Sequence, residues 1–326
     1  MADWIKSCLA CGAANLQQWA RIPAQMHPTD EKFSFQRCLS CGLVQLNPRV
    51  SAEELGAYYS EYYLPFRGPA AWGKYAPLVT MSLRKTDSKR VDLARKAATA
   101  AAAAAAGAGR KNGGVGPESR VLDVGCGKPT FLERLHSQTG CYAKGIDFSD
   151  EGWRQEPGRF AGLDLEVAEF HAFQAGAPFD VITMWHYLEH DYHPYETLVR
   201  MRTIAHRNTR LIIEVPNFAS WTRALQGRFW EGFHTPRHTA VYTPATLQVL
   251  LERSGWESAQ LHRFGTLDPY PLFWMGQQER RGIDWSASME GRFADFMAGM
   301  LATAPLFLLK RWLPAGVMMI VAQLKR

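Results

Sequence analysis

The segment VLDVGCGKPTFL, residues 121 to 132, joins a short apolar run to a glycine-containing turn and then to residues that favour a helix. Asp123 stands near the end of the predicted strand, and Gly125, Cys126 and Gly127 form the turn. Glycine lets the backbone approach a ligand closely, and nucleotide-binding folds of several kinds use such a turn. The turn therefore predicts a ligand site, but by itself it does not identify the ligand.

Short apolar runs alternate with helical patterns from about residue 117 onward. The runs are RVLDVG, CYAKGID, DLEVAEF, FDVITMW, RLIIEVP and WESAQLHRF, and GVMMIVAQLKR follows as a last strand. Strands that alternate with helices build a parallel sheet with helices on both faces. Residues 117–326 are therefore predicted to be an α/β core, a Rossmann-like doubly wound sheet.

Acidic and aromatic residues follow the next strands of this core. Asp147 stands twenty residues after Gly127, where a carboxylate accepts hydrogen bonds from the hydroxyls of a ribose. At the third strand end, Glu169 is placed to bind the exocyclic amine of an adenine, and Phe170 to line its ring. The predicted cofactor-binding residues are Asp123, Gly125, Cys126, Gly127, Asp147, Phe148, Glu169, Phe170 and Trp185.

Taken together, the D-x-G-x-G turn, the spaced Asp147, FDVITMWHYLEH and IIEVPN resemble the class I S-adenosylmethionine-dependent methyltransferases over about residues 119–263. The resemblance implies the class I methyltransferase fold, S-adenosylmethionine as cofactor and methyl transfer as activity. A dinucleotide enzyme usually carries a third glycine in the turn, where this chain has Thr130. That difference argues against a nicotinamide cofactor.

Four cysteines in two C-x-x-C pairs mark the N-terminal part of the chain. Paired spacing of this kind indicates a metal site rather than disulfides. Four thiolates close a tetrahedral zinc site and leave no position for water, so the site is expected to be structural. Residues 1–50 are therefore predicted to be a zinc ribbon with the ligands Cys8, Cys11, Cys38 and Cys41.

Residues 51–116 are predicted to be a helical segment that ends in an Ala/Gly-rich linker. Ser51 and Glu54 form the pattern of a helix-capping box. A zinc ribbon followed by SAEELGAYYSEYY and the core resembles a bacterial branch of the methyltransferases. In that resemblance Tyr59 and Tyr63 cap the methionine end of the cofactor; the alternative is an aromatic packing face of a helix.

Two histidine-containing segments are candidates for the chemistry. In WHYLEHDYH, residues 185–193, a helix would place His186, Glu189 and His190 on one face. Three interpretations stay open for this group: a divalent metal site, a general base at His190, and a structural role. Some quinone-biosynthesis O-methyltransferases carry a similar segment with a metal, but with Glu in place of His186.

The second histidine segment is GRFWEGFHTPRHTAVYTP. Here His238 is a candidate general base, and Arg237 a candidate clamp for a phosphate or carboxylate of the substrate. The alternative is a histidine held inside the loop by hydrogen bonds. The predicted catalytic residues are therefore His190 and His238.

An insertion at about 265–315, rich in Trp, Phe and Met, is predicted to form a helical cap. Its apolar run, residues 296–309, is shorter than the roughly 20 residues that cross a bilayer. Lys310, Arg311 and Trp312 follow it. Three interpretations of this apolar run stay open: a buried core or lid, a membrane-surface contact through residues 296–312, and an oligomer contact.

The chain has 326 residues, a formal charge of +6 and a pI near 9.0, which suits phosphate-bearing substrates as well as nucleic acid. The favoured function is methylation of an oxygen or carbon of a small-molecule acceptor: a sugar, lipid or secondary metabolite. The start MADWIKSCLACG lacks a secretory pattern, so a cytoplasmic location is expected, with a membrane-peripheral location as the alternative. The sequence does not predict the oligomeric state.

Two other functions are alternatives to this one. An RNA methyltransferase with a zinc module would concentrate basic and aromatic residues on one surface, whereas the basic residues here are scattered. A non-catalytic binding protein with a degenerate core would not need the complete set of Asp123, Gly125, Gly127 and Asp147. We therefore expect a small-molecule acceptor as the partner and not nucleic acid.

Overall fold

The computed structural model describes residues 3–106, 114–309 and 312–325; the predicted linker at 107–113 and the basic pair Lys310 and Arg311 lie outside the described residues. The described strands are β1 (Leu16–Pro23), β2 (Lys32–Cys38), β3 (Val44–Leu46), β4 (Arg120–Val124), β5 (Tyr142–Asp147), β6 (Asp164–Val167), β7 (Phe179–Trp185), β8 (Ala205–Pro216), β9 (Ala240–Val241), β10 (Trp256–His262) and β11 (Val317–Leu324). The described α-helices are α1 (Ala52–Leu55), α2 (Leu64–Arg67), α3 (Ala76–Ala106), α4 (Thr130–Thr139), α5 (Pro194–Met201), α6 (Trp221–Gln226), α7 (Pro244–Arg253), α8 (Pro269–Arg281) and α9 (Phe293–Leu308).

The central sheet has the strand order β10-β11-β8-β7-β4-β5-β6. Strands β8, β7, β4, β5 and β6 are parallel, and β11 pairs antiparallel with both β8 and β10. The strand order reverses between β4 and β7, where ligands bind outside the carboxyl ends of the strands. This arrangement confirms the α/β class with a parallel-dominant sheet and locates the expected ligand site.

Both faces of the sheet are buried, as the alternation of strand side chains requires. Leu122 and Ile213 join one apolar cluster, which α5 and α7 cover. Their neighbours Val121 and Ile212 point to the other face and join a second cluster, which α3 and α4 cover. The continuous apolar runs of the sequence thus correspond to strands buried on both sides.

The N-terminal segment forms a second, antiparallel sheet of order β1-β2-β3-β9. Its last strand, β9, comes from the α/β core: Val44 and Gln45 of β3 pair with Val241 and Ala240. Because main-chain hydrogen bonds cross this boundary, the cysteine-bearing unit and the core share one sheet. The strand expected from KFSFQRC is present as β2.

The insertion before β11 contains α8 and α9, which pack on the segment that precedes α3. Trp72 lies 5.5 Å from Trp274 of α8 and 5.2 Å from Phe296 of α9, measured between ring centroids. In α9 only Phe307 is buried, and much of the outward side of this apolar helix is exposed. Among the described residues, no helix has the length and apolar character needed to cross a membrane.

One local expectation differs from the structure. The segment WHYLEHDYH is a turn and not a helix, since α5 begins only at Pro194. His186 has a φ of 56°, in the left-handed region, which breaks any helical continuation after β7. His186 and Glu189 nevertheless come into contact, because the turn brings their side chains together.

Candidate active site

The glycine turn after β4 lies at the carboxyl edge of the sheet. Gly125 has a φ of 70°, and a Cβ on it would lie 2.5 Å from Cδ2 of Tyr187. Gly127 has a φ of 47°, and its N–H donates to a carboxylate oxygen of Asp147 at 2.8 Å. The positive φ favours glycine at both positions. At Gly125 the ring of Tyr187 also occupies the space that a side chain would need.

Two carboxylates flank this turn. Asp123 is buried and accepts a hydrogen bond from the hydroxyl of Thr183 at 2.6 Å. Burial raises the pKa of Asp123 to about 7. Asp147 is half-buried; its two oxygens accept hydrogen bonds from the backbone N–H groups of Gly127 and Ser149, and burial raises its pKa. Each oxygen of Asp147 retains a lone pair for a further donor.

The aromatic residues of the predicted cofactor site differ in burial. Phe148 is 67% exposed, and Glu169 is also exposed at the same edge. Phe170 is only 2% exposed and packs in the core near Phe173. The structure therefore leaves Phe148 and Glu169 open to a ligand, whereas a role of the Phe170 ring in lining an adenine stays a prediction.

Trp185 and Cys126 are both buried at the end of the parallel strands. Trp185 packs against Phe131 and under the guanidinium of Arg90, 4.8 Å from its ring centre. Within the described part of the chain, the indole N–H of Trp185 has no hydrogen-bond partner. Burial raises the pKa of the Cys126 thiol well above its usual value, so Cys126 contributes backbone and packing rather than a reactive thiolate.

His190 and His238, predicted separately from two segments, lie side by side. Their ring centroids are 4.5 Å apart, with the rings nearly perpendicular. Ligand atoms of both, and of Glu189, lie within 4.8 Å of one another, which suits proton exchange as well as a metal ion. The sequence suggested a group of His186, Glu189 and His190. The structure instead brings together Glu189, His190 and His238.

The two histidines are held neutral by their surroundings. Burial, with a smaller effect of neighbouring histidines, lowers the pKa of His190 to about 4 and that of His238 well below its usual value. Nδ1 of His238 lies 2.8 Å from the carbonyl oxygen of Gly232. Because a carbonyl only accepts, Nδ1 carries the proton and Nε2 is the basic nitrogen.

His186 has the opposite electrostatic character. Its Nδ1 lies 3.2 Å from Glu189 and its Nε2 lies 3.1 Å from Glu214. The two carboxylates raise the pKa of His186 to about 9 against the effect of burial, while His186 and Arg90 hold the pKa of Glu214 at about 2. His186 is therefore a partly buried cation near neutral pH, so it is not a candidate base.

Arg237 does not act as a free clamp. It is fully buried, and its guanidinium donates to the backbone carbonyls of Tyr58, Gln25 and Met26 at 2.8, 3.0 and 3.1 Å. The same group lies 4.1 Å from the ring centre of Tyr63. Since its donors are engaged by the N-terminal segment, Arg237 joins that segment to the core instead of presenting a cation to substrate.

Two tyrosines connect the histidines to the cofactor edge. The hydroxyl of Tyr59 lies 3.2 Å from Nδ1 of His190, and its ring lies 6.3 Å from that of Phe148. The hydroxyl of Tyr63 lies 3.3 Å from Nδ1 of His234. Burial raises the pKa of Tyr59 to about 12, so its hydroxyl stays protonated and neutral.

Sequence reasoning missed Glu214 and Arg90. Glu214 is fully buried and is linked to His186, Arg90 and Thr266. The glutamate inside the apolar run RLIIEVP could have indicated a buried ion pair, because burying an unpaired carboxylate is too costly in free energy. Arg90 carried no such signal, since only the packing of α3 on the sheet brings it to the site.

The four N-terminal cysteines converge as expected. Cys8 and Cys41 have their sulfur atoms 3.5 Å apart, as do Cys11 and Cys38, and all four lie within 4.8 Å of one another. These distances exceed the disulfide bond length of about 2.05 Å. A tetrahedron with zinc–sulfur bonds of about 2.3 Å separates its sulfurs by about 3.8 Å, so the donor set fits the size and chemistry of zinc.

The parallel strand order, the glycine turn and the strand-end carboxylates define an α/β protein with a nucleotide-type site. A family model described as "Methyltransferase domain" matches residues 90–261, just over half of the chain. The chain belongs to this methyltransferase-domain family, and its core is that of an S-adenosylmethionine-dependent methyltransferase of class I.

Individual proteins with similar sequence or fold are distant. A ubiquinone biosynthesis O-methyltransferase of Azoarcus sp. (strain BH72) is 29% identical over 154 residues, which cover 44% of this chain and 66% of that protein. A mycolic acid cyclopropane synthase solved with SAH has a TM-score of 0.46 at 16% identity, covering 72% of this chain and 83% of that one. The 1,6-didemethyltoxoflavin-N1-methyltransferase of Burkholderia thailandensis has a TM-score of 0.44 at 13% identity, covering 92% and 99%.

Proposed function

We propose that the protein transfers a methyl group from S-adenosylmethionine to an oxygen or carbon of a small-molecule acceptor, in the class of sugars, lipids or secondary metabolites. The observation that carries the proposal is the pair of neutral histidines, His190 and His238, near the edge of the sheet where the methyl donor would bind. The name of the Azoarcus relative supports oxygen as the methylated atom.

The cofactor site is built from the edge of the sheet. Asp147 would bind the ribose hydroxyls, Glu169 the adenine amine, and Phe148 the adenine face. The backbone of Gly125, Cys126 and Gly127 would lie along the methionine portion, with Asp123 and the unpartnered N–H of Trp185 nearby and Phe170 supporting the edge from the core. When bound, S-adenosylmethionine supplies a sulfonium methyl carbon that is open to in-line displacement.

The residues of this chain would orient the acceptor and remove its proton. Nε2 of His238 is unprotonated and accepts a proton from an acceptor hydroxyl, while Tyr59 and His190 form the wall between that hydroxyl and Phe148. The buried surroundings exclude water, which strengthens the interactions that position the nucleophile. The cation at His186 stays fixed between two carboxylates and orients Glu189.

Calorimetric titration with S-adenosylmethionine and S-adenosylhomocysteine tests the cofactor. We expect micromolar binding by the wild type and at least a tenfold loss in Asp147→Ala, because the ribose hydroxyls lose their acceptor. Asp92→Ala, at an exposed position of α3, is the matched control and should bind normally. Absence of binding to either ligand by well-folded wild type would contradict the proposal and favour a degenerate binding core.

An acceptor screen with phenols, sugars and lipids then tests the base. Once a substrate is found, His238→Gln should lower kcat by about 10²-fold or more, the usual contribution of a general base, with cofactor affinity unchanged. His206→Gln, at the opposite end of β8, is the control. Equal turnover by His238→Gln, His190→Gln and wild type would remove both histidines as bases.

We also propose that Cys8, Cys11, Cys38 and Cys41 hold one structural zinc ion, so that residues 1–50 are a zinc ribbon. The support is the match between the sulfur separations and a tetrahedral zinc–thiolate site. Metal analysis should give about one zinc per chain, and conversion of Cys38 to Ser should abolish it. A well-folded preparation without metal would end this proposal.

A further inference from the structure

One stretch of the surface concentrates exposed apolar side chains. Fifteen large hydrophobic residues are exposed in the described part of the chain, and six of them fall between positions 301 and 313. Random exposure of single apolar residues is ordinary, but contiguous patches mark interaction sites. The six, termed here the α9 patch, are Leu301, Leu306, Leu308, Leu309, Trp312 and Leu313.

The α9 helix is attached to the protein by one side only. Phe307 packs between Trp221 and Phe273, and Phe296 packs against Trp72. Leu308 and Trp312 are on the outer side, where they are 76% and 72% exposed. The helix is thus anchored by aromatic contacts and presents its remaining apolar side chains to its surroundings.

Basic residues adjoin the α9 patch in the sequence. The sequence holds no Asp or Glu from position 296 to 326, while Lys310 and Arg311 stand beside Trp312 in it. The acidic residue that precedes this range, Asp295 in the first turn of α9, is paired with Arg281 at 3.0 Å.

We propose that the α9 patch docks the protein onto an anionic lipid membrane. Leucines would enter the boundary of the acyl chains, Trp312 would lie at the headgroup level, and the positive charge next to Trp312 in the sequence would favour anionic lipids. Charge complementarity favours this occupant over a second copy of the chain, because two such surfaces would bring like charges together. The inference concerns a binding surface and does not depend on the methylated acceptor.

One aromatic cluster connects α9 to the histidine group. The aromatic cluster that anchors α9 also contains Tyr63, whose hydroxyl lies 3.3 Å from His234. His234 in turn lies next to His238, with ring centroids 4.8 Å apart. The helix proposed to dock on the membrane and the candidate base therefore belong to one continuous set of side-chain contacts.

Co-sedimentation of the full chain with vesicles tests the proposal. Wild-type protein should bind vesicles of phosphatidylglycerol and phosphatidylcholine at least tenfold better than vesicles of phosphatidylcholine alone, and 0.5 M salt should weaken the binding. Trp312→Glu and Leu308→Glu should each reduce the bound fraction severalfold. Trp4→Glu is the matched control, since Trp4 is 66% exposed on the N-terminal unit, and it should bind like the wild type.

Thermal unfolding and S-adenosylmethionine binding of the same variants show that the fold is intact, because the substituted side chains are exposed. No binding of wild type to anionic vesicles, or equal binding by Trp312→Glu, would overturn the proposal. Concentration-dependent dimerisation that Trp312→Glu abolishes, without vesicle binding, would assign the patch to a second copy instead. Failure of cofactor binding would leave the vesicle result unaffected, so the two proposals are tested separately.

Discussion

At the scale of single residues, neighbouring histidines of the candidate site differ in charge. His186 sits between two buried carboxylates and is a cation, whereas His190, four residues later, is neutral. The difference arises from partners, since only His186 contacts Glu189 and Glu214 through both ring nitrogens. Two histidines of one short turn thus differ in charge: His186 is held by two carboxylates, and His190 is neutral and is proposed as a candidate base.

The raised pKa of His186 predicts how stability depends on pH. The folded pKa of about 9 lies above the unfolded value of about 6.5, so the stabilisation is complete below pH 6.5 and is lost as pH rises through 9. Wild-type protein should lose on the order of 2 kcal/mol of unfolding free energy between pH 6.5 and 9.5. Urea unfolding at several pH values measures this loss.

The variant His186→Gln should be less stable than the wild type at pH 6.5 and should lack most of this decrease at higher pH. His206→Gln is the control, because His206 is partly exposed beside Asp180 and is far from Glu214. The control should keep the wild-type dependence. An equal decrease in wild type and His186→Gln would show that His186 is not the titrating group.

At the scale of elements, short loops carry the contacts between the two sheets. The segment that contains Arg237 leads directly into β9, the strand that pairs with β3 of the N-terminal sheet. Leu46 donates its N–H to the carbonyl of Thr239, and Thr239 donates to the carbonyl of Glu189. The His238 loop is therefore held from the N-terminal unit on one side and from the turn after β7 on the other.

Replacing Arg237 by Met should destabilise the protein by about 3 kcal/mol, because three buried carbonyl groups lose their donors. The stability of Arg237→Lys should lie between that of Arg237→Met and that of the wild type, since one ammonium cannot reach all three carbonyl groups. Chemical unfolding measures the free energy of unfolding of both variants. Arg253→Met is the control for an exposed arginine that also donates to a carbonyl, that of Ala10, and it should cost under about 1 kcal/mol. Equal losses at both positions would refute the anchoring role.

At the scale of the whole molecule, we expect the proposed zinc ion to stabilise the core as well as the ribbon. Because β3 and β9 share hydrogen bonds, loss of the Cys cluster would propagate into the loop of His238. Removing zinc with a chelator should lower the unfolding midpoint by more than about 5 °C in a single transition. Differential scanning calorimetry measures the midpoint, and Cys38→Ser should show no further change with chelator. If the chelator left the unfolding midpoint of the wild type unchanged, the stability of the core would not depend on the metal, which would contradict this prediction.

Local patterns predicted the fold well and the site in part. The α/β alternation, the glycine turn with Asp147, and the C-x-x-C pairs depend on short-range spacing, which a single sequence displays directly. A helix over WHYLEHDYH, the condition under which His186, Glu189 and His190 would share one face, does not form, because His186 adopts a left-handed backbone conformation that tertiary contacts stabilise. Likewise, the burial of Phe170 depends on the packing of Phe173 above it, and its position after a strand does not reveal this.

The sequence by itself determined the class of fold, the methyltransferase family and the two C-x-x-C pairs, because each follows from short motifs whose spacing is visible along the chain. Only the tertiary structure decided which histidines meet, what holds Arg237, and which side of α9 is exposed. His190 and His238 are 48 positions apart, and the carbonyl partners of Arg237 are up to 212 positions away. Such contacts depend on how the sheets and loops pack, and the periodicity of a single segment contains no information about them.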